Sequence, residues 1–421
     1  MADAQFADVS PQPRSLTHGS QVSGFDRSAA GVADFGVQVE VVGRLDRLRE
    51  LEADYSELER ATQNTLPFAL HAWHVAWWNH LAATGPAIRD ALMIHVVRDE
   101  AGKPIAIVPL VLTQRTHLGI RVASLAPLGA DPWITELRPP LVAPGMEVRA
   151  LGAIQRLLAA DDRWDWIQWT GLDERMAAAL ERSCMRLSCS LRWREPTVDC
   201  VLDLEPTWEA FRAKLKRNIR ESLRHCYNSL KRDRIHFEFE VACTRTDVER
   251  ALGHFLALHS MRAESNESIP HPNRFVSARS QQFLYDVCDR LAASGVARVF
   301  LLRVQGEVVA ARVGFVVGTS LYLYYSGFDR RWARYSVMTT TVAEAIKYAI
   351  SLGLRTVNLS AGLDVSKTRW GVRHVPFGEA IQCRTHMRSR LACAGYEARL
   401  LLNSHPLLMP MRRALPMRSW T

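Results

Sequence analysis

The sequence predicts an α/β fold with mixed sheets, arranged as two similar units in tandem. Three observations carry this expectation. The chain has 421 residues, long for one hydrophobic core, so two domains of ordinary size are expected. Apolar residues switch along the chain between strand-like runs and helical three-to-four-residue spacing. Two stretches, IHVVRDEAGKPIAIV in the first half and FLLRVQGEVVAARV in the second, also share a weak pattern: an apolar strand, an Arg, a Gly-containing turn and a second apolar strand with Ala.

Taken in order, residues 1–35 are rich in Ala, Ser, Asp, Gln and Gly, carry few large apolar groups, and read as a disordered arm. A first unit over 36–204 opens with a strand at 37–42 and a helix at 45–61, with Leu45, Leu48, Leu51, Tyr55 and Leu58 on one stripe. A second helix at 68–81 carries Trp73, Trp77 and Trp78; helical spacing puts the first two on one face, as core filling under the first sheet. Strand, turn and strand follow over 91–112, then a Gly/Pro-punctuated stretch at 125–144, a helix at 147–160, a strand at 164–170, a helix at 173–184 and a strand at 198–204.

The second unit, 205–386, opens on a polarised helix over 207–232. Thr207 is placed to cap it, and Trp208, Phe211, Leu215, Ile219, Leu223, Tyr227 and Leu230 make its apolar stripe. Arg212, Lys214, Lys216, Arg217, Arg220, Arg224, Lys231 and Arg232 crowd the remainder, with Glu221 the sole acid in 212–232. Like charges on one helix repel, so this face is either a solvated surface or a contact for an anionic partner. A strand at 237–241 and helices at 248–262 and within 273–293 lead to a meander, residues 296–326, that feeds a helix starting at Ser336. A strand ending in a short loop before a helix directs unpaired backbone N–H groups at one point, which suits phosphate. A strand at 356–359, a polar loop at 360–369 and a basic tail, 387–421, complete the chain.

Bulk properties narrow the function classes. Hydrophobic content of 48% with 23% charged residues is that of a soluble globular protein. No apolar run is long enough to span a bilayer, and the first residues lack the apolar core of a signal peptide. The eight cysteines show no C-x-x-C pair and no metal-like spacing with His, so free thiols in a reducing cytoplasm, and no metal, are expected. The net charge of +9 suits an anionic partner or a basic solvated surface.

Four stretches of the second half resemble the GNAT-type acyltransferase domain of the CelD/BcsL group, which is related to FemAB transferases. They are LKRNIRESLRHCYNSL, LALHSMRAESN, the meander-and-helix unit, and GLDVSKTRWG. In the first half PFALHAWHVAWW and IAIVPLVL also look like that family, and the resemblance runs from about 37 to 384. It implies two tandem GNAT-like domains in a FemAB-like architecture and an acyl donor: acyl-CoA, with acetyl-CoA the simplest, or aminoacyl-tRNA in the FemAB branch. Some relatives serve cellulose or other exopolysaccharide pathways.

By position, the resemblance implies that the 322–327 strand end, with Tyr324, Ser326 and Gly327, pairs with pantetheine amides. Arg334, Tyr335, Ser336, Val337, Met338 and Thr339 would cradle the pyrophosphate, and Lys367 would sit near the reacting carbonyl. This run has no Gly where such loops usually do, and Val is harder for a phosphate to pass than Gly. Asp364 and Glu344 are candidate bases, and Tyr325 or Tyr324 a donor to the leaving thiolate. Arg217, Arg220, His259, Arg262 and Trp370 are candidate acceptor contacts. Three readings stand open: acyl transfer from acyl-CoA to an amine or hydroxyl of a small or saccharide-linked acceptor, aminoacyl transfer from tRNA, and a non-catalytic scaffold of a polysaccharide-synthesis complex. The expected location is the cytoplasm, including the inner face of the membrane as a peripheral site.

Overall fold

The computed structural model describes residues 27–32, 36–117, 119–130, 134–187, 189–264 and 271–404. In chain order the elements are β1 (Arg27–Val32), β2 (Val37–Val42), α1 (Leu45–Glu50), α2 (Glu52–Ala61), α3 (His71–Leu81), β3 (Ile88–Asp99), β4 (Pro104–His117), β5 (Ile120–Pro127), β6 (Leu141–Val142), α4 (Glu147–Ala160), β7 (Trp166–Leu172), α5 (Glu174–Arg186) and β8 (Ser190–Asp203). The second half continues with α6 (Trp208–Lys214), α7 (Arg217–Arg232), β9 (Phe237–Ala242), α8 (Arg245–Ala263), α9 (Ala278–Ala293), β10 (Ala297–Val304), β11 (Glu307–Val317), β12 (Ser320–Phe328), α10 (Val337–Ser351), β13 (Thr356–Ala361), α11 (Val365–Thr368), β14 (Arg373–Cys383) and α12 (Met387–Ser404).

The strands form one mixed sheet in the order β1-β2-β3-β4-β5-β7-β14-β8-β13-β12-β11-β10-β9, with β6 paired to β4. β14, from late in the chain, lies between β7 and β8 of the first half. The two halves therefore share backbone pairing as well as packing. Helices cover both faces, as the mixed α/β expectation required. In the second half α8 and α9 pack on one face through Phe255, Phe283 and Val287. α7 and α10 pack on the other through Ile219, Leu223, Ala345 and Ile346. Burial of such aliphatic and aromatic side chains contributes about 1.5–3 kcal/mol each.

Several expectations need correction. Within the 1–35 arm, residues 27–32 form edge strand β1, paired antiparallel with β2; the rest of the arm lies outside the described residues. The basic 207–232 stretch is two helices, because Leu215 (ψ 145°) and Lys216 (ψ 150°) are extended. That break lets Leu215 drop into the core, where it is 7% exposed. β14 was not anticipated, and residues 365–368 of the polar loop are helical. Cys383 on β14 and Cys393 on α12 are disulfide-bonded, so the expectation of eight free thiols does not hold; the other six are free. α3 reaches beyond the first sheet: Trp73, fully buried, meets Phe283, Phe315 and Tyr324 of the second half edge-on. The basic tail begins as α12, with Tyr396 stacked 5.1 Å from Trp166; residues 405–421 lie outside the described residues.

Candidate active site

β12 and β13 are parallel neighbours for only three rungs: Ser320 with Thr356, Leu321 with Val357, and Tyr322 with Asn358. Past that point both strands are bulged. On β12, Ser326 faces Arg312 and Leu323 faces Gly314, so Tyr324 and Tyr325 together oppose the single residue Val313. On β13, Asn358 faces Val201 and Ala361 faces Asp199, so Leu359 and Ser360 together oppose Cys200. Ser360 takes the left-handed region, φ 72°. A bulge bends its strand and re-aims the side chains beside it. Two bulges just beyond the last shared rung coincide with the end of the ladder, an opening in the backbone pairing between the two strands.

A segment of the first half delivers an acid to this opening. Residues 134–136 are pinned by the Trp73 indole N–H, which donates to Thr135 Oγ1 at 3.1 Å. The Tyr324 hydroxyl, donating to the Ile134 carbonyl, holds the same segment. Glu136 then accepts a hydrogen bond from the Tyr322 hydroxyl, and its Oε2 lies 3.4 Å from the Ala361 N–H. Asn358 Nδ2 donates to Asp199 Oδ2 at 2.6 Å, while its own Oδ1 accepts from Ser360 N at 2.8 Å. Asp199 is 1% exposed, and its Oδ1 has no partner among the described residues. Lys367, on α11, donates to the Ala361 carbonyl and lies 3.2 Å from Asp364. Arg312 Nη2 donates to the Leu323 carbonyl at 3.2 Å.

Burial dominates the electrostatics of this cluster. It lifts Glu136 above the usual carboxylate range, against the Tyr322 hydrogen bond and the charge of Lys367. It lifts Asp199 to about 7, with the Asn358 bond opposing and the Glu136 charge adding. Burial, with repulsion from Arg262, lowers Arg312 to about 10, still a cation at neutral pH. Perturbed acids gathered at a cleft are the pattern of proton-transferring sites.

A second feature lies where β12 leads into α10. Ser336 is the N-cap residue with φ 53° and ψ 43°, and its side chain makes no cap hydrogen bond. The helix start thus lacks the side-chain acceptor that usually satisfies its N–H groups. The Val337 side chain is 1% exposed, packed with Leu230, Leu302 and Tyr335, so it is turned into the core. Arg369 Nη2 reaches Thr339 Oγ1 at 2.7 Å, and its Nε has no partner among the described residues. Arg334 donates to the Tyr335 hydroxyl at 2.6 Å, which donates to Asp233 at 2.9 Å. Met338 is partly buried.

The other candidates fall as follows. Asp364 caps α11, accepting from Ser366 N at 3.1 Å. Burial would raise its pKa, but the Ser366 bond and Lys367 outweigh this and hold it below the usual range. Glu344 accepts from Tyr227 and Lys347 on the α7–α10 face. His259 donates from Nδ1 to the Ser326 carbonyl at 2.9 Å and accepts at Nε2 from Arg274 N at 3.3 Å, so both ring nitrogens are engaged. Arg262 donates to Ser326 Oγ at 3.0 Å. Tyr325 packs on His259 and Phe275. Gly327 passes so close to α8 that a Cβ would lie 2.3 Å from His259 N. These residues fix the β12 end. Arg217 and Arg220 are exposed on α7, Arg217 paired with Glu221 at 2.7 Å. Trp370, expected at an acceptor, is instead 2% exposed within the core beside Ile219 and Leu223.

Sequence reasoning missed Glu136, Asp199, Asn358, Arg312 and Arg369. The one available signal was an acid within the Pro-flanked run PWITELRPP. Among the described residues no group of His, Cys, Asp or Glu is placed to hold a metal ion. No described helix is long and apolar enough to cross a membrane.

Comparison with known proteins agrees with the mixed α/β fold. No curated protein matches the chain in sequence. The structure is similar to the crystal structure of FemX, with a TM-score of 0.52 at 11% identity, covering 77% of this chain and 95% of that one. Lower scores are found with the C-terminal domain of a putative lysylphosphatidylglycerol synthetase from Agrobacterium fabrum (TM-score 0.49, 13% identity, 85% and 97% covered). A tandem GNAT protein from the clavulanic acid biosynthesis pathway scores 0.42 at 12% identity, with 82% and 98% covered. Residues 214–368, which include β12, β13, α10 and Lys367, match the acetyltransferase (GNAT) domain family.

Proposed function

We propose that the protein transfers an acyl group, acetyl in the simplest case, from acyl-CoA to an amine or hydroxyl of a small or saccharide-linked acceptor. The observation that carries this reading is the opening between β12 and β13 beside an uncapped α10. An extended pantetheine arm would pair with the β12 edge past Tyr322, which β13 has left. The CoA diphosphate would sit at the α10 N–H groups, with Arg369 supplying charge. The Val337 side chain is turned into the core and so would not stand between a phosphate and the first N–H groups of α10. The donor's thioester would then lie toward Glu136, Tyr322 and Lys367, where N–H and ammonium donors can steady a developing oxyanion. The two-unit division at 204/205, the cytoplasmic setting and a role in exopolysaccharide or cell-envelope synthesis rest on the family resemblance.

A second reading, aminoacyl transfer from tRNA, is favoured by one observation. Arg212, Lys216, Arg220 and Arg224 are exposed on α6, α7 and the break between them, with no ion pair among the described residues. Salt-dependent retention of tRNA, with no thermal shift from acetyl-CoA, would favour it over the first. The direct test of the first is a thermal-shift series with acetyl-CoA and CoA on wild type and Arg369→Ala. Stabilisation of wild type that weakens in the variant is expected; no stabilisation by either ligand contradicts it.

A further inference from the structure

We propose that Glu136, carried into the site by the first half of the chain, is the catalytic base that takes the acceptor's proton, and that Asp199 is its positioning partner through Asn358. This rests on the acyl-transfer reading above and assigns a step that the matched domain, residues 214–368, cannot supply, since both carboxylates lie outside it.

The two carboxylates are anchored to opposite members of one rung. Tyr322 and Asn358 are paired across β12 and β13; Tyr322 donates to Glu136 and Asn358 to Asp199. Their hydrogen bonding differs. Glu136 accepts from a hydroxyl and faces the Ala361 N–H, and acceptor bonds favour the ionised form. Asp199 has one oxygen bonded and the other, Oδ1, buried without a partner. A buried, unpartnered carboxylate oxygen is best tolerated when that group carries a proton. The pair therefore holds its charge on Glu136 and its proton on Asp199. Glu136 also keeps some contact with solvent, whereas Asp199 does not. The other groups acting on Glu136 are Arg312 from β11 and Lys367 from α11, which favour its charge. Asp364 is spent on Lys367 and the α11 cap, and His259 has no free nitrogen for the task.

The step balances as follows for an ammonium acceptor. The Glu136 carboxylate takes one proton from nitrogen. The freed lone pair forms the C–N bond to the thioester carbonyl carbon. The C–S bond breaks with its electron pair on sulfur, and the second nitrogen proton goes to that thiolate. Glu136 then returns its proton to solvent.

The test compares two nucleophiles on the full chain with acetyl-CoA, following thiol release. Ethylamine is protonated near neutral pH and needs a base; hydroxylamine is largely unprotonated and does not. In Glu136→Gln, release with ethylamine should fall by about 100-fold or more, while release with hydroxylamine stays near wild type. Equal loss with both nucleophiles, or loss with neither, overturns the assignment. Absence of release from wild type with either overturns the acyl-transfer reading and this step with it. Asp199→Asn supplies an independent check that survives a poorly folding Glu136 variant. Asparagine keeps a neutral group in place of the protonated acid, so the acid limb of the ethylamine pH–rate profile, set by Glu136, should stay as in wild type, while the change that Asp199 ionisation imposes at about pH 7 is lost; a displaced limb, or a profile unchanged at about pH 7, contradicts the pairing.

Discussion

Tyr322 and Asn358 close the short parallel ladder between β12 and β13, and each holds a carboxylate: Tyr322 donates to Glu136, Asn358 to Asp199. One acid comes from a segment of the first half and the other from β8, so the site is assembled by the long-range pairing that joins the halves. The matched domain alone would present the opening without either acid.

Burying Asp199 has a cost that depends on pH. An unfolded Asp titrates near ~3.9, whereas folded Asp199 titrates at about 7. Between these values the folded state keeps a proton that the unfolded state has lost, so its contribution to stability falls as pH rises through that window. Asp199→Asn removes the fall. Urea unfolding at pH 5 and pH 8 should show the variant gaining on wild type at the higher pH, by on the order of a few kcal/mol. A pH-independent difference would contradict the burial of an ionisable acid at this position.

Ser336 is held in the left-handed region without a cap bond from its hydroxyl. A residue with a Cβ is strained there by about 1–2 kcal/mol, and glycine is not. Ser336→Gly should therefore raise the melting temperature slightly. Acetyl-CoA binding should persist, because the backbone N–H groups of α10 are unchanged.

Trp73 links folding to chemistry. It is fully buried among Phe68, Phe283, Phe315 and Tyr324, so Trp73→Ala should cost about 3–5 kcal/mol. Trp73→Phe keeps most of that packing but loses the bond to Thr135, one residue from Glu136. We expect a modest loss of stability and a larger loss of acyl transfer, measured by thiol release beside a melting curve.

Much of the fold was legible because its signals are local. The 147–160 helix and the 37–42 strand were read from periodicity alone and stand at the same residues in the structure. The meander was legible for the same reason, through its β-branched runs and Gly turns. What could not be read depends on long-range pairing. β14 escaped notice because Pro376 and Gly378 interrupt its pattern, and it is stabilised as a strand by neighbours on both sides. The break at Leu215 was hidden by an apolar stripe that runs through it. Lys367 was singled out through a motif, whereas Glu136 and Asp199 have no motif; only the ladder end brings them together. Trp370, two residues after α11 in sequence, packs in the core with Ile219 and Leu223.

The exposed cations of α6 and α7 separate the two donor readings. Reversing Arg212, Lys216, Arg220 and Arg224 to Glu should change acetyl-CoA affinity little at physiological salt, where exposed charges are screened beyond ~8 Å. Under the tRNA reading the same variant should lose retention of tRNA, with a shallower salt dependence. Filter retention across a salt series, beside calorimetry with acetyl-CoA, distinguishes them.

The most direct measurement is calorimetric titration of the full chain with acetyl-CoA, repeated on Arg369→Ala. The account predicts saturable one-to-one binding to wild type that weakens about tenfold when a charge-assisted contact worth about 1.4 kcal/mol is removed. No heat of binding, with no change in melting temperature at millimolar ligand, would contradict it.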